Sequence, residues 1–188
     1  MHCISSFLEN MDHEFPNHTQ IVVPRNGYKV DGEGIKKKCQ LNTLKSVDYY
    51  EVHEQRGFLY IEFSDLLRQD AQLQERAGRI KDSNLTKKDK KKLRETCFKE
   101  IHKELVHKFK DSVMIRILMK DKVKNIPEHF EANGMYIIVV APLDPQLEKD
   151  KAIEILKFLD TLKDKVSQGI PKEFYSSVKI LPLDKFCS

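Results

Sequence analysis

The sequence predicts an α/β fold, a mixed central sheet flanked by helices, and three observations lead to it. Two β-prone runs around a short glycine-containing turn, within 47–63, read as a hairpin. A charged stretch over 87–118 carries apolar residues at every fourth position, the mark of an amphipathic helix. The run Met135–Ala141 is apolar without alternation, as in a strand covered on both faces. An amphipathic stretch and a last β-branched run follow it, which together make a strand–helix–strand unit suited to a parallel crossover.

From the N-terminus, Ile4, Phe7, Leu8 and Met11 have helical spacing and predict a short helix over 2–12. Thr19–Val23 is β-branched, stops at Pro24 and predicts a strand. Asn26-Gly27 and Asp31-Gly32-Glu33-Gly34 predict a loop or a second hairpin.

In the central hairpin Gly57 suits the left-handed last position of a three-residue loop, Gln55–Gly57. Glu54 then faces Phe58 and Tyr50 faces Glu62. Asp48, Tyr50, Tyr60, Glu62 and Ser64 share one face in that register, and Tyr49, Leu59, Ile61 and Phe63 share the other, more apolar one. A two-residue turn would separate Asp48 from Glu62.

Residues 65–80 predict a helix, and Lys81–Asn84 a polar break. Thr86 and Asp89 have capping-box form, so a long helix begins at about 87. Its buried stripe is Leu93, Cys97, Ile101, Leu105, Phe109 and Val113. Pro142 and Pro145 stop the 135–141 strand. A helix over 146–166 buries Ile155, Leu156, Leu159, Leu162 and Val166, Gly169-Ile170-Pro171 breaks it, and Ser177–Leu181 is the last strand.

The 188 residues fit one domain, 1–188, large enough for a core without covalent staples. A net charge of +4 is too mild to argue for nucleic-acid binding by bulk electrostatics, so any polyanion site has to be a local patch. The cysteines Cys3, Cys39, Cys97 and Cys187 are scattered without a CxxC pair and read as reduced thiols, which with the absence of a signal-peptide pattern predicts a cytoplasmic protein. The longest apolar run falls well short of the about 20 residues that cross a membrane. No P-loop, GxGxxG, zinc spacing or nucleophile triad is present. His102 and His107 are five apart and do not share a helix face as metal ligands would, and Cys97 reads as a small core residue.

Two constellations carry chemistry. The first is Asp48 with Glu62. Metal-dependent phosphodiester hydrolysis needs carboxylates that converge on one divalent ion, and adjacent strands bring such a pair within reach diagonally, about 7–8 Å apart at the backbone. The second is the basic run Lys87, Lys88, Lys90, Lys91, Lys92 and Arg94. It opposes the helix dipole and suits phosphate or an acidic partner, though a solvated helix start part-neutralised by Asp89 and Glu95 is the blander alternative. No aromatic interleaves it, so no base-stacking platform is indicated.

In element order and in the segments Val47-Asp48-Tyr49-Tyr50 and Leu59-Tyr60-Ile61-Glu62-Phe63-Ser64, the chain resembles the PD-(D/E)XK nuclease superfamily. The resemblance spans about residues 1–140 in topology. It implies a restriction-endonuclease-like αβββαβ core with an inserted long helix. It implies Asp48 and Glu62 as catalytic and metal-binding carboxylates and Glu9, in the first helix, as a further acid. Where the family carries a lysine that positions water and steadies charge at the phosphate, this chain has Ser64. Arg68 or a lysine from a nearby helix is the alternative source of the cation. The resemblance without its lysine points to a non-catalytic or degenerate nuclease-like module that binds a protein or nucleic-acid partner in an accessory, inhibitory or immunity-type role. The alternative is an endonuclease that cleaves DNA or RNA with Mg²⁺ or Mn²⁺ held by Asp48 and Glu62.

Overall fold

The computed structural model describes residues 1–66, 68 and 86–188, and within these not the side chains of 87, 90–94 and 97. The helix expected at 65–80, apart from its first residues, and the polar break at 81–84 lie outside the described residues. The strands are β1 (His2–Cys3), β2 (Leu8–Asn10), β3 (Asn26–Lys29), β4 (Tyr49–His53), β5 (Gly57–Phe63), β6 (Val123–Lys124), β7 (Gly134–Val140) and β8 (Tyr175–Pro182). The described helices are α1 (Ile35–Lys38), α2 (Lys87–Leu118), α3 (Lys149–Gly169) and α4 (Leu183–Cys187).

The fold is α/β, with a six-stranded mixed sheet of order β2-β3-β4-β5-β7-β8. It is antiparallel from β2 to β5 and parallel from β5 through β7 to β8. The expected strand–helix–strand unit is therefore present as β7-α3-β8. A separate parallel pair joins β1 to β6.

Both faces of the sheet are buried. Tyr50, Tyr60, Tyr136 and Ile138 pack with Ile101, Leu105, Phe109 and Val113 of α2 and with Leu162 and Val166 of α3. Tyr49, Leu59, Ile61, Ile137 and Val139 pack with Met11, Phe15 and Val23 and with Leu183 and Phe186 of α4. Alternation along each strand sends successive side chains to opposite cores. The face expected to be the more polar one is as dry as the other, because α2 lies across it.

The long helix follows its sequence signals closely. Thr86 and Asp89 form the capping box, with Asp89 N–H donating to Thr86 Oγ1 and Thr86 N–H donating to Asp89 Oδ2. Leu93 and Cys97 of the expected stripe have side chains outside the described set; the other four stripe residues are buried. In α3, Leu162 and Val166 are fully buried, whereas Leu156, expected inside, is 52% exposed. That helix starts at Lys149 rather than 146, because Asp144 holds Gln146 and Leu147 in a turn.

The N-terminal third departs from expectation. No α-helix forms over 2–12. Ile4–Phe7 is one 3₁₀ turn, and Leu8–Asn10 pairs with β3. Apolar residues three apart fit a 3₁₀ turn as well as an α-helix, and the cross-strand pairing decides between them. Thr19–Val23 is not a strand: turns run through 15–21, and the Ile21 carbonyl is taken by the His13 ring at 2.8 Å. Asn26-Gly27 is not a turn but the start of β3. A Cβ on Gly27 would lie 3.0 Å from both Met11 Cγ and Tyr49 Cβ, so glycine is there for close packing.

The hairpin keeps its expected parity and changes its register. His53 pairs with Gly57 and Tyr50 with Tyr60, so the loop is 54–56 and Gly57, at φ +72°, opens the returning strand. His53 Nδ1 accepts from Gln55 N–H and tightens the turn. Shifting the pairing by an even number leaves every side chain on its expected face. The regular pairing ends at Tyr49 opposite Ile61, and Asp48, just outside it, donates its N–H to that same Ile61 carbonyl.

Candidate active site

Asp48 and Glu62 come together on the α2 side of the sheet. Asp48 sits just before β4, where its own N–H donates to the Ile61 carbonyl and its carbonyl accepts from Val30 N–H. Its Oδ2 accepts from Phe63 N–H at 2.7 Å. Backbone on both sides thus fixes the carboxyl. Glu62 is 1% exposed, so it is not a residue of a solvated sheet surface.

Lys108 of α2 donates to Glu62 Oε1 at 2.6 Å. The cation comes from a helix far along the chain. Ser64 is buried and its N–H donates to Val139 O, which continues the sheet past β5. Arg68 is exposed and lies on a neighbouring cleft.

The helix is held in register for this contact. Ser112, one turn beyond Lys108 and fully buried, accepts from Val47 N–H at 2.8 Å and donates to the Lys108 carbonyl at 2.6 Å. Tyr50 Oη donates to the Ser112 carbonyl. Lys45 N–H donates to Asp111 Oδ2. The segment that leads into Asp48 is therefore bolted to the turn of α2 that carries Lys108. Phe109 packs its ring against Tyr60 and Tyr136.

Asp48 and Lys108 line a cleft of ≈ 380 Å³ together with Asp12, His13, Glu14, Lys29, Asp31, Gly32, Tyr49 and Phe63. It opens at the end of the sheet where β3 and β5 finish. Burial pushes the Asp48 carboxyl up to about 6, and the nearby acids Asp31 and Glu14 add to this against the Phe63 N–H and the Lys108 ammonium. Glu62 is raised well above the ordinary range by burial first and then by Asp48, against the pull of Lys108. For Lys108, burial works downward, but the contact with Glu62 outweighs it and the ammonium is held above its usual value. Burial thus works against ionisation of both carboxyls, and the Lys108 ammonium works for it.

Glu62 Oε2 is buried and has no hydrogen-bond partner, an orphaned acceptor on a carboxyl whose other oxygen is taken by Lys108. Such an atom beside a second carboxyl at the wall of an acidic cleft suits a divalent cation. Asp48 and Glu62 would supply two oxygen ligands, and Mg²⁺ usually completes its shell with water and substrate phosphate. Among the described residues no three His, Cys, Asp or Glu side chains form a group able to hold an ion by themselves.

Glu9 lies in β2 and not in a helix, and its Oε1 accepts from Lys29 Nζ and from Tyr49 Oη. It ties down the rim of the cleft and stands apart from the carboxylate pair. Of the basic run, Lys88 is exposed, while the side chains of Lys87, Lys90, Lys91, Lys92 and Arg94 lie outside the described set. Along the α2 axis the run is about 20–30 Å from Lys108, so it is no part of this cleft. His102 is bound by its ring nitrogen to the Lys165 carbonyl, a packing role.

Lys108 escaped the sequence reading. It precedes the stripe residue Phe109 and follows Leu105 by three, which puts it at the border of the buried face. That position is the one signal it had, and Lys92, before Leu93, shares it. No helix of the described residues is long and apolar enough to cross a membrane. Comparison of the chain with protein-family models, curated proteins and solved structures finds no match.

Proposed function

We propose that this chain is a divalent-metal-dependent nuclease that cleaves phosphodiesters in DNA or RNA at the cleft lined by Asp48 and Lys108, with Glu62 buried behind Lys108. One observation carries the reading: the Lys108 ammonium is 2.6 Å from Glu62, a carboxyl on which the charge of Asp48 also acts. It supplies a cation that Ser64 does not. The raised carboxyls, the orphaned Glu62 oxygen and the acidic mouth favour a bound cation over a merely structural ion pair.

Asp48 and Glu62 would hold Mg²⁺ or Mn²⁺, which supplies a Lewis acid for the phosphoryl oxygen and lowers the pKa of water. Lys108 keeps a positive charge at the cleft wall, where it stabilises charge growing on a phosphate. Asp48, fixed by Phe63 N–H, keeps its orientation without substrate, so no reorganisation is needed at the reacting centre.

The test is calorimetric titration with Mn²⁺ together with cleavage of labelled DNA and RNA. Wild type binds the ion and cleaves, Asp48→Ala with Glu62→Ala does neither, and Lys108→Met binds the ion but loses cleavage. Mn²⁺ binding that persists in the double variant removes this reading.

A second reading keeps the scaffold and drops the chemistry: a non-catalytic module that binds a protein or nucleic-acid partner. The lack of a three-ligand group among the described residues favours it. It predicts no Mn²⁺ binding in wild type and partner capture unaffected by Asp48→Ala.

A further inference from the structure

A larger cleft, ≈ 650 Å³, lies beside the first. It sits where the parallel strands β5 and β7 end, the position at which open parallel sheets hold ligands. Residues 12–14 line one cleft and residues 15–18 the other, so one short segment divides them. Phe15 and Phe63 are in edge contact at that divide, with ring centroids 6.3 Å apart. Asp65, two residues after the cleft-lining Phe63, is on the wall of the larger cleft.

The lining has two characters. Pro142, Leu143, Leu147 and Ile155 make an apolar side. Asn17, His18, Asp65, Arg68 and Asp144 bring an amide, an imidazole, two carboxylates and a guanidinium. The Arg68 backbone N–H donates to Asp65 Oδ1, which fixes the start of that segment and aims no charge of its own at the cleft. An apolar wall with a few convergent polar groups suits a flat heterocycle, and one guanidinium suits the phosphate attached to it. The volume lies within the range of small-molecule sites and accommodates a single nucleotide.

We infer that this cleft is the subsite for the nucleotide that flanks the scissile phosphate, and that the substrate is single-stranded or unstacked nucleic acid. This rests on the nuclease reading above. A base stacked in a duplex cannot enter a walled cleft, whereas a free base can. Arg68 holds the neighbouring phosphate, the Leu143–Leu147 side covers the base, and Asn17 meets its edge.

The test uses fluorescein-labelled oligothymidylate and oligouridylate, and the matching duplex, with wild type, Arg68→Ala and Leu147→Trp. Binding is followed by anisotropy in Ca²⁺, and cleavage in Mn²⁺. The expected result is a single-strand preference, with KM and Kd raised roughly tenfold in both variants at nearly unchanged kcat, as loss of one base or phosphate contact gives. Duplex preference, or wild-type constants in both variants with cleavage intact, overturns the subsite and leaves the nuclease reading standing. Oligonucleotide binding that weakens in the variants without any cleavage leaves a single-strand-binding cleft, removes the nuclease and overturns the assignment of the cleft to a scissile phosphate. Neither binding nor cleavage by wild type removes both.

Discussion

At the scale of single residues, Asp48 links fold stability to pH. Burial holds its carboxyl at about 6, against 3.8 for an ordinary aspartate. Between those values the folded chain binds the proton and the unfolded chain does not. The contribution is therefore fully present below 3.8, is lost as pH rises through about 6, and stays lost at neutrality. Asp48→Asn removes the titration while keeping an oxygen for Phe63 N–H. Its expected outcome is a gain of roughly 1–2 kcal/mol at neutral pH, tempered because the cleft lets water reach the carboxyl. The gain disappears toward about pH 4, and urea unfolding at both pH values reads it. Lys108→Met acts in the opposite direction. It strips the cation from a buried carboxyl and costs about 2–4 kcal/mol. Adding Glu62→Gln is expected to recover most of that stability and, if the chain is the proposed nuclease, none of the cleavage. A double-mutant cycle that shows no coupling between the two positions contradicts the ion pair.

At the scale of elements, α2 does two things at once: it closes one core and carries Lys108. Phe109 is fully buried between Tyr60 and Tyr136, and it follows Lys108 directly. Phe109→Ala is expected to cost about 3–5 kcal/mol in chemical denaturation. Because the helix also rests on Ser112, Val47 and Tyr50, the ion pair is expected to persist, with Mn²⁺ affinity changed little. Elements dominated by local signals were legible in the sequence. The six-residue stripe at steps of four and the capping box marked out α2, and the apolar run marked out β7. Elements whose form depends on a distant partner were not. Leu8–Asn10 becomes a strand because Asn26–Lys29 lies beside it, and that strand exists because Gly27 allows Met11 and Tyr49 to close over it. Periodicity over a short window contains neither fact.

At the scale of the whole molecule, the candidate site combines what the sequence could reveal with what it could not. Hairpin parity, readable from the loop, holds for residues 49–53, and just beyond it Asp48 lies close enough to Glu62 for each charge to act on the same Lys108. Lys108 is 46 residues from Glu62, on a helix whose rotation is set by Ser112 and the sheet, so no local pattern joins the two. On the proposed reading, the neutral-pH cost and the cation site fall in the same place. Asp48 and Glu62 are held as carboxyls that resist ionising, and a divalent cation favours their ionised forms. Binding of that cation to the folded chain alone stabilises it by about 2.7 kcal/mol at a hundredfold excess over Kd. In a chain of this length that corresponds to a rise of roughly 5–10 °C in Tm. The shift is expected to be larger above about pH 6 than below it, since the Asp48 proton has to leave on binding. Thermal melts of wild type with and without Mn²⁺, at pH values on either side of that point, read it. Asp48→Asn, already relieved of the buried charge, is expected to start from the higher Tm and to gain little from the ion. An equal Mn²⁺ shift in wild type and in Asp48→Asn would mean that the ion binds elsewhere and that the raised carboxyl is a feature of packing alone.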